Sequence, residues 1–481
     1  MTVGTSRRPA GSPQSGTSRG QGRIVVVLAF AGIVVSLMHS LVIPLLPRLP
    51  EFLNASAADT TWAITTTLLA GAVATPTVGR LGDMYGKRRM LLISLALLVA
   101  GSVIGAFSFS LAPLIIGRTL QGLAAGVIPL GISIMRDALP PAGLGGATAT
   151  MSASLGVGGA LGLPVAAVIA ETLDWHTLFW VAAGLGLVSF FLIAWLVPES
   201  QVKSGGRFDA VGAVSMSAAL VMLLLVVSKA GTWGWTSATT LGLIGGSLIL
   251  FTGWIFWELR VARPLVDLRT IWRRQVLLTN LASLIFAFSM LSMSLSLPQI
   301  LQLPAETGYG LGQSMLVAGL VMAPSGLVMM AVAPLSAWIS AAWGPKWSLM
   351  AGAVLVTAGY TIGVFAMEAV WQLVAVSSIV GAGIGLAYGA MPALVMGAVP
   401  PSESASANGL NSLMRSVGTS LSAAVAGLVF AQMSTSLSGT LIPSQGAFQI
   451  MMGCGAVAAL AALAVAAFLP RYRLSDHRPP G

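Results

Sequence analysis

Charged residues, cysteine and histidine are all scarce in this sequence of 481 residues. Only 8% of the residues are charged, whereas soluble globular proteins carry about a quarter. So few charges cannot cover a water-facing surface, and the sequence therefore predicts a polytopic membrane protein. The single cysteine, Cys454, excludes a disulfide framework, a cysteine-rich zinc site and an iron–sulfur cluster. Three histidines, two of them expected outside the bilayer, argue against a histidine-built metal site.

Hydrophobic residues make up 56% of the chain and form about fourteen segments long enough to cross a bilayer. The first 22 residues are rich in glycine, serine and arginine, which predicts a disordered basic tail. The apolar segment from Ile24 lacks a small-residue cleavage pattern, so we interpret it as a retained helix. The predicted spans are 24–46, 60–80, 90–110, 112–135, 147–170, 177–197, 209–228, 239–257, 276–297, 313–335, 347–367, 371–393, 405–431 and 448–468.

The distribution of the 24 lysines and arginines predicts the orientation of these spans. An even number of spans places both termini on one side, and twenty of the basic residues fall on that side. Only Arg48 and Lys229 fall on the other side, while Arg118 and Arg415 lie within spans. The positive-inside rule then predicts cytoplasmic termini in the plasma membrane. The excess positive charge of +10 is explained by orientation and lipid contact, and nucleic-acid binding is not predicted.

The two ends of the chain resemble each other. Gly122-Leu-Ala-Ala-Gly-Val-Ile-Pro129 in the fourth span recurs as Gly385-Leu-Ala-Tyr-Gly-Ala-Met-Pro392 in the twelfth. Two glycine-rich spans can look alike by chance, but a second match has nearly the same offset. Around the loop between the second and third spans, Pro76, Tyr85, Gly86 and Arg88 recur as Pro334, Trp343, Gly344 and Lys346.

The offset is too long for six spans alone, which leaves an extra pair of helices between two six-span halves. Paired helical repeats around a central site are the arrangement of secondary transporters. No GxxxxGK[ST] sequence occurs, so ATP is not predicted as the energy source. The predicted organisation is a disordered basic tail (1–23), a six-helix bundle (24–198), a linker with two spans (199–275), a second six-helix bundle (276–468) and a second tail (469–481).

The loop after the second span carries the most specific motif. In Gly79-Arg80-Leu-Gly-Asp83-Met-Tyr-Gly86-Lys87-Arg88-Arg89, one acid lies among four cations. An aspartate there can accept hydrogen bonds from a helix N-terminus or from an arginine of a neighbouring helix, which holds one conformation. A basic anchoring loop with an incidental acid is the simpler alternative. The motif resembles the G-x-x-x-D-x-x-G-x-[RK]-[RK] loop signature of the major facilitator superfamily. We predict a conformational switch made of Gly79, Arg80, Asp83, Gly86, Lys87, Arg88 and Arg89.

Other stretches agree with this resemblance over nearly the whole chain. Arg118-Thr-Leu-Gln121-Gly122 is similar to the R-x-x-Q-G element of drug exporters in the superfamily. Further segments resemble its fourteen-span drug:proton antiporter family, namely Trp233-Gly-Trp235, Glu258-Leu-Arg260, Pro264-Leu-Val-Asp267 and Asn408-Gly-Leu-Asn411 with Arg415 and Gly418. The resemblance implies an all-α fold of two six-helix bundles plus a two-helix insertion, with a proton gradient and no cofactor.

Two departures from the family pattern concern the first and fifth spans. Met38 stands where the family has an acid, with His39 next to it, and Gly162-Leu163-Pro164 replaces an adjacent Gly-Pro. Small residues that allow close helix packing remain. We predict such packing at Gly122, Gly126, Gly158, Gly162, Pro164, Gly385 and Gly389.

The proton carrier is therefore an open question at the sequence level. A charge in the bilayer core costs about 2.5–3.5 kcal/mol, so each one requires a reason. The resemblance assigns Arg118, with Gln121 on the same helix face, to proton relay; a structural tether to backbone carbonyls is the alternative. His39 titrates near neutral pH and is our candidate carrier, although a lone histidine is often a packing residue. The other candidates are acids reached through a vestibule, Glu51, Asp59 and Glu306.

Polar residues at helical spacing predict a substrate cavity. Ser289, Ser292, Ser296 and Gln299 form a neutral stripe with Met293 nearby, and Asn408, Asn411 and Arg415 form another polar face. Such a lining suits amphipathic molecules, while helix–helix hydrogen bonding is the alternative. The scarcity of buried acids favours neutral, weakly basic or zwitterionic substrates.

These observations favour proton-coupled export of amphipathic drugs or metabolites by a monomer in the plasma membrane. A carrier for one defined solute and a sensor or scaffold that transports nothing are the alternatives. Enzymatic catalysis has no support, because no nucleophile–base pair, metal cluster or phosphate cradle is present in the sequence.

Overall fold

A computed structural model describes residues 15–42, 45, 49–205, 208–261, 264–266, 268, 272–437 and 440–470. It is almost entirely helical, and every predicted span coincides with a long helix. The fourteen helices are α1 Ser15–Ser40, α2 Trp62–Tyr85, α3 Lys87–Ala106, α4 Leu111–Gly122 continued by Val127–Ala138, α5 Pro141–Thr172, α6 Thr177–Leu196, α7 Ala210–Trp233, α8 Ala238–Arg260, α9 Arg274–Gln302, α10 Met315–Ala331 continued by Ala333–Ala342, α11 Pro345–Phe365, α12 Val370–Met396, α13 Ser404–Gln432 and α14 Gln445–Ala467.

Thirteen of these helices are long and apolar enough to cross a membrane. The remaining one, α2, has 24 residues and is less apolar because it carries three consecutive threonines, Thr65–Thr67. Each of these hydroxyls donates to the carbonyl four residues earlier, so no polar group of the stretch is left without a bond. The prediction of an all-α polytopic protein is confirmed.

Short elements lie between the long helices. Helical turns occupy Leu49–Leu53, Ala57–Thr60, Ala305–Thr307 and Pro401–Glu403, and a turn of 3-10 helix at Leu123–Gly126 interrupts α4. Strands β1 Ser434–Leu437 and β2 Thr440–Pro443 form an antiparallel hairpin before α14, with Ser434 opposite Pro443. Helix α1 begins at Ser15, so residues 15–23 of the predicted disordered tail are helical. The rest of that tail lies outside the described residues, as do residues 471–481 of the second tail.

The helices pack into two cores and a smaller third cluster. One core joins buried side chains of α1–α6, and the other joins those of α9–α12 and α14, with Phe430 of α13 packed against it. The pair α7 and α8 forms the third cluster, in which Leu220 and Leu224 pack with Leu69 of α2 and Leu410 of α13. The two extra helices therefore cover the place where the two halves meet.

The internal repeat is visible in the geometry. Gly86 and Gly344 precede α3 and α11 and have φ angles of 120° and 100°, which side-chain-bearing residues rarely adopt. Two residues later, Arg88 donates to the Ala194 carbonyl near the end of α6. Correspondingly, Lys346 donates to the Ala467 and Leu469 carbonyls at the end of α14.

The repeated octapeptides make equivalent contacts in the two halves. Gly122 and Gly126 of α4 lie against α2. A Cβ added at Gly126 would come within 2.8 Å of Val78 of α2. Gly385 and Gly389 of α12 lie against α10 in the same way, with Ser336 2.5 Å from a Cβ at Gly389. Small residues at this spacing let two helix backbones approach closely.

Candidate functional site

A cavity of about 640 Å³ lies between the two halves. Helices α1, α2, α4 and α5 line it on one side, and α9, α10, α12 and α13 on the other. Most of the lining is apolar, and it includes five methionines, Met290, Met293, Met315, Met322 and Met329. Among the described residues, the ionisable side chains in the lining are His39, Tyr388 and Arg415, and no carboxylate is one of them.

The cavity is closed toward the loop that joins α2 and α3, which we call the loop side; the opposite side is the far side. On the loop side, α2 and α13 nearly touch, because a Cβ added at Gly79 would lie 2.6 Å from the Ala405 carbonyl oxygen. Toward the far side the lining continues to Gln302 and Met315, at the ends of α9 and α10, and Gln302 is exposed. The cavity thus reaches the surface on the far side.

His39 lies at the far-side end of α1 and faces the cavity. Its Nε2 atom is buried and has no hydrogen-bond partner among the described residues. Ser36, one turn earlier, also lines the cavity and donates to the Leu155 carbonyl of α5 at 2.6 Å. Close packing of α1 on α5 positions this face, because Gly158 and Gly162 of α5 lie directly against Ser36 and Ser40. Pro164, two residues after Gly162, instead contacts Gly319 of α10.

Arg118 and Gln121 lie in the core of the first half rather than in the cavity lining. Arg118 is 1% exposed, and its guanidinium donates to the Ala63 and Met38 carbonyls at 3.1 and 3.0 Å. It also donates to Gln121 Oε1 at 2.7 Å, and the Gln121 amide donates to Ser102 Oγ at 2.8 Å. These bonds match the tether to backbone carbonyls that we considered as the alternative. No carboxylate of the described part of the chain pairs with Arg118.

Arg415 is the one permanent cation in the cavity lining. It lies in α13, and its guanidinium carbon is 4.9 Å from the centre of the Tyr388 ring of α12. Its Nη2 donates to Ser412 Oγ on the same helix at 3.2 Å. Tyr388 was missed by our sequence reasoning, although the repeat contained a signal. It replaces Ala125 of the fourth-span octapeptide, and both residues line the cavity.

Several predicted cavity residues instead form bonds between helices. Met293, Gln299 and Arg415 line the cavity, but Ser289, Ser292, Ser296, Asn408 and Asn411 do not. Ser289 donates to the Gly455 carbonyl of α14, Ser292 shares a hydrogen bond with Ser422 of α13, and Ser296 is buried without a partner in the described part of the chain.

The two asparagines of α13 also bond elsewhere. Asn411 donates to Asn280 and Ser283 of α9 at 2.9 and 2.6 Å, and Asn408 donates to the Ser404 carbonyl. These five residues, predicted to line the cavity, lie outside the lining of the cavity in this structure. Helical spacing identifies a shared face but not the neighbour that the face meets.

Asp83 joins the two halves on the loop side. Its carboxylate is fully buried and accepts hydrogen bonds from the backbone N–H groups of Ala405 and Ser406, at the start of α13, at 3.2 and 2.8 Å. A helix N-terminus was one of the two partners considered from the sequence, and it favours a negative charge. Lys87 Nζ is 3.8 Å from Asp83 and also donates to Asp137 at 2.7 Å and to Ser404 at 3.1 Å.

The rest of the loop is fastened to the first half. Glu199, after α6, accepts from the backbone N–H groups of Arg88 and Arg89 at 3.1 and 3.2 Å and so caps α3. A Cβ at Gly86 would collide with this carboxylate, 2.9 Å away. Arg80, also of this loop motif, is 9% exposed. Asp137, in the last turn of α4, and Glu199, after the end of α6, were not among the predicted site residues.

Comparison with known proteins places this fold in a family. The profile of the Major Facilitator Superfamily matches residues 28–423 and, in a second overlapping match, 303–481. The chain belongs to the major facilitator superfamily. It is accordingly a transporter rather than an enzyme, and a multi-pass protein of the membrane, which in bacteria is the plasma membrane.

Similar proteins in this superfamily carry names of exporters. The chain is 28% identical over 442 residues to the "Tetracenomycin C resistance and export protein" of Streptomyces glaucescens, covering 90% of this chain and 80% of that protein. It is 24% identical over 377 residues to "Multidrug resistance protein 3" of Bacillus subtilis, covering 76% and 72%. Among solved structures, the human organic anion transporter TETRAN is 16% identical with a TM-score of 0.64, and the match covers 95% of this chain and all of that one. That likeness concerns the fold alone.

Proposed function

We propose that this protein exports amphipathic drugs or metabolites from the cytoplasm in exchange for protons, by alternating access. The observation that carries the proposal is the cavity between the two halves, closed on the loop side by contacts that cross between the halves. The names of the related exporters support the direction of transport. The twenty-to-two distribution of basic residues supports a cytoplasmic loop side.

His39 is the proposed proton carrier. It is the one imidazole in the cavity lining, and its Nε2 atom has no bond within the described part of the protein, so it is free to accept a proton. An imidazole changes charge within the pH range of an ordinary transmembrane gradient. Arg118 lies in the same half and bonds to the backbone of Met38, next to His39.

The test uses purified protein in liposomes with an imposed pH gradient and a trapped pH dye. A panel of lipophilic cationic, neutral and acidic compounds is added, and proton flux that starts on addition is the expected result. His39→Gln should abolish this flux while retaining exchange of labelled compound across the membrane without a gradient. His176→Gln is the matched control, because His176 bonds to Asp174 outside the cavity.

Each contrary outcome has a definite meaning. Full proton flux in His39→Gln would show that another group carries the proton. The next candidates would be Glu51, Asp59 and Glu306. Wild-type protein that is folded but gives no flux with any compound would contradict proton-coupled drug export.

A further inference from the structure

Arg415 holds a positive charge in a cavity that supplies no negative one. Arg415 is 9% exposed and lines the cavity, and no carboxylate of the described residues pairs with it. A buried guanidinium without an anionic partner is costly, since desolvation of the charge is not offset by an ion pair. The Tyr388 ring stabilises the cation only from one face of the guanidinium plane.

The contrast with Arg118 shows what is unusual about Arg415. Both arginines lie inside the membrane-spanning region, but the Arg118 guanidinium donates to two carbonyls and to Gln121 and lies outside the cavity. The hydrogen bond that the structure gives to Arg415 within the protein is the one to Ser412. The remaining N–H donors of the Arg415 guanidinium are therefore available to a molecule in the cavity.

We propose that the cavity binds amphipathic molecules that carry an anionic group, a carboxylate or an acidic phenol, and that Arg415 holds this group. This inference rests on the proposed transport function and names its substrate class. The planar guanidinium can donate two parallel hydrogen bonds to a carboxylate, which a point charge cannot do. A cationic molecule would meet a positive charge with no compensating acid.

The surroundings of Arg415 agree with this class of ligand. Ser416 and Thr419 line the cavity on the same helix, but their hydroxyls donate to the Ser412 and Ser416 carbonyls. Arg415 is thus the strongest donor on this face. The methionine-rich remainder of the cavity suits an apolar or aromatic body of varied shape, and about 640 Å³ accommodates a drug-sized molecule.

The test compares three probes that share one aromatic body: pyrenebutyrate, pyrenebutanol and pyrenebutylamine. Their affinity for the purified full-length protein is measured by fluorescence titration, with empty detergent micelles as the blank. We expect wild-type protein to bind pyrenebutyrate at least about tenfold more tightly than pyrenebutanol, which is the range of a charge-assisted hydrogen bond. The amine should bind most weakly.

Two substitutions assign this preference to the guanidinium. Arg415→Gln should make the affinities of the acid and the alcohol equal. Arg415→Lys should retain part of the preference for the acid, because lysine keeps the charge but not the paired N–H donors of the guanidinium. The unfolding temperature of each variant is measured alongside. Should Arg415→Gln fail to fold, Ser412→Asp provides the same test, because an acid three residues away would neutralise Arg415 within the helix. It should remove most of the preference for the acid over the alcohol and the amine.

The outcomes separate this inference from the proposed function. Tightest binding of the amine or the alcohol by wild-type protein, no binding of the acid, or an unchanged acid preference in folded Arg415→Gln would overturn it. Proton flux triggered only by cationic compounds would also overturn it while leaving proton-coupled export intact. Arg415-dependent binding of pyrenebutyrate without proton flux from any compound would instead retain the substrate class and contradict the coupling.

Discussion

Asp83 is the residue at which the two halves are most directly joined. Its carboxylate receives two backbone N–H groups from the start of α13, and Lys87 extends the contact to Asp137 and Ser404. Two features favour the charged carboxylate here, the helix N-terminus and the neighbouring ammonium group, and they oppose the cost of burying the charge away from water. This contact stabilises the conformation that is closed on the loop side, and it must break when that side opens.

Replacing Asp83 by asparagine should leave the protein folded and inserted but slow transport. The amide keeps one acceptor oxygen but loses the charge, so the closed conformation should lose about 1.4 kcal/mol, or about tenfold in its population relative to the open one. Uptake of labelled compound into inverted vesicles and the unfolding temperature measure the two properties. Glu403→Gln, a half-buried acid beside the same helix start, is the matched control. Full transport by Asp83→Asn would show that the contact is dispensable.

At the scale of single residues, the sequence identified important charged side chains, but it did not identify which helices the polar side chains contact. The loop signature identified Asp83, and the charge within a span identified Arg415. The serine stripe of α9 was predicted to line the cavity, whereas in the structure Ser292 bonds to Ser422 and Ser289 bonds to Gly455. A hydroxyl on a helix fits a cavity and a helix interface equally well by composition. Only the packing of α13 and α14 on α9 decides between them.

The crossing of α2 and α13 is the element that closes the cavity on the loop side. Gly79 faces the Ala405 carbonyl, and one to two turns deeper Gly409 faces the Thr75 carbonyl, 2.8 Å from where its Cβ would be. Two helices can approach this closely only where side chains are absent. Arg136 Nη2, at the end of α4, adds a hydrogen bond to the Val399 carbonyl beyond α12 at 3.0 Å.

A larger side chain at this crossing should hold the two halves apart on the loop side. Gly409→Val has no room beside Thr75 and should shift the resting protein toward the conformation open on that side. Spin labels on Tyr85→Cys and Pro401→Cys, in a Cys454→Ala background, would report a longer distance by pulsed electron resonance. Gly427→Val is the matched control, because Gly427 lies on the same helix with nothing within 4 Å. An unchanged distance in Gly409→Val would mean that this crossing is not the closure.

The helices themselves were largely predictable from the sequence, and their ends were not. Apolar runs of bilayer length predicted all fourteen, since each must satisfy its own backbone in lipid. Hydropathy does not detect helical residues that are polar, and α1 begins at Ser15 rather than at Ile24. The hairpin of β1 and β2 also had no signal of its own in an apolar count.

The two halves of the molecule repeat each other, but the loop after the second helix differs between them at one position. Both halves use glycine before the third helix and a cation that bonds to the end of the sixth, at Gly86 with Arg88 and at Gly344 with Lys346. The second half has Ala341 where the first has Asp83. The carboxylate that crosses between the halves therefore comes from one half only, while the receiving helix start belongs to the other.

The repeat was predictable because identical packing requires identical small residues, as Gly122 and Gly385 show. The position of α7 and α8 was not predictable in the same way. Their sequence indicates two spans, but the contact of Leu220 and Leu224 with α2 and α13 depends on the assembled halves. The pair therefore packs where α2 of one half meets α13 of the other.

At the scale of the molecule, a cavity closed on the loop side and reaching the surface beside Gln302 predicts one-sided access. Ser416→Cys places a thiol in the cavity lining, in a Cys454→Ala background. A membrane-impermeant maleimide should label it rapidly from the far side and at least about tenfold more slowly from the loop side, which corresponds to a preference of about 1.4 kcal/mol for the closed form. Tyr85→Cys, exposed on the loop side, verifies the orientation of the vesicles by labelling in the opposite sense. Adding Gly409→Val should raise loop-side labelling of the cavity thiol. Equal labelling from both sides in the resting protein would contradict closure, because a path open at both ends would dissipate the gradient that drives export.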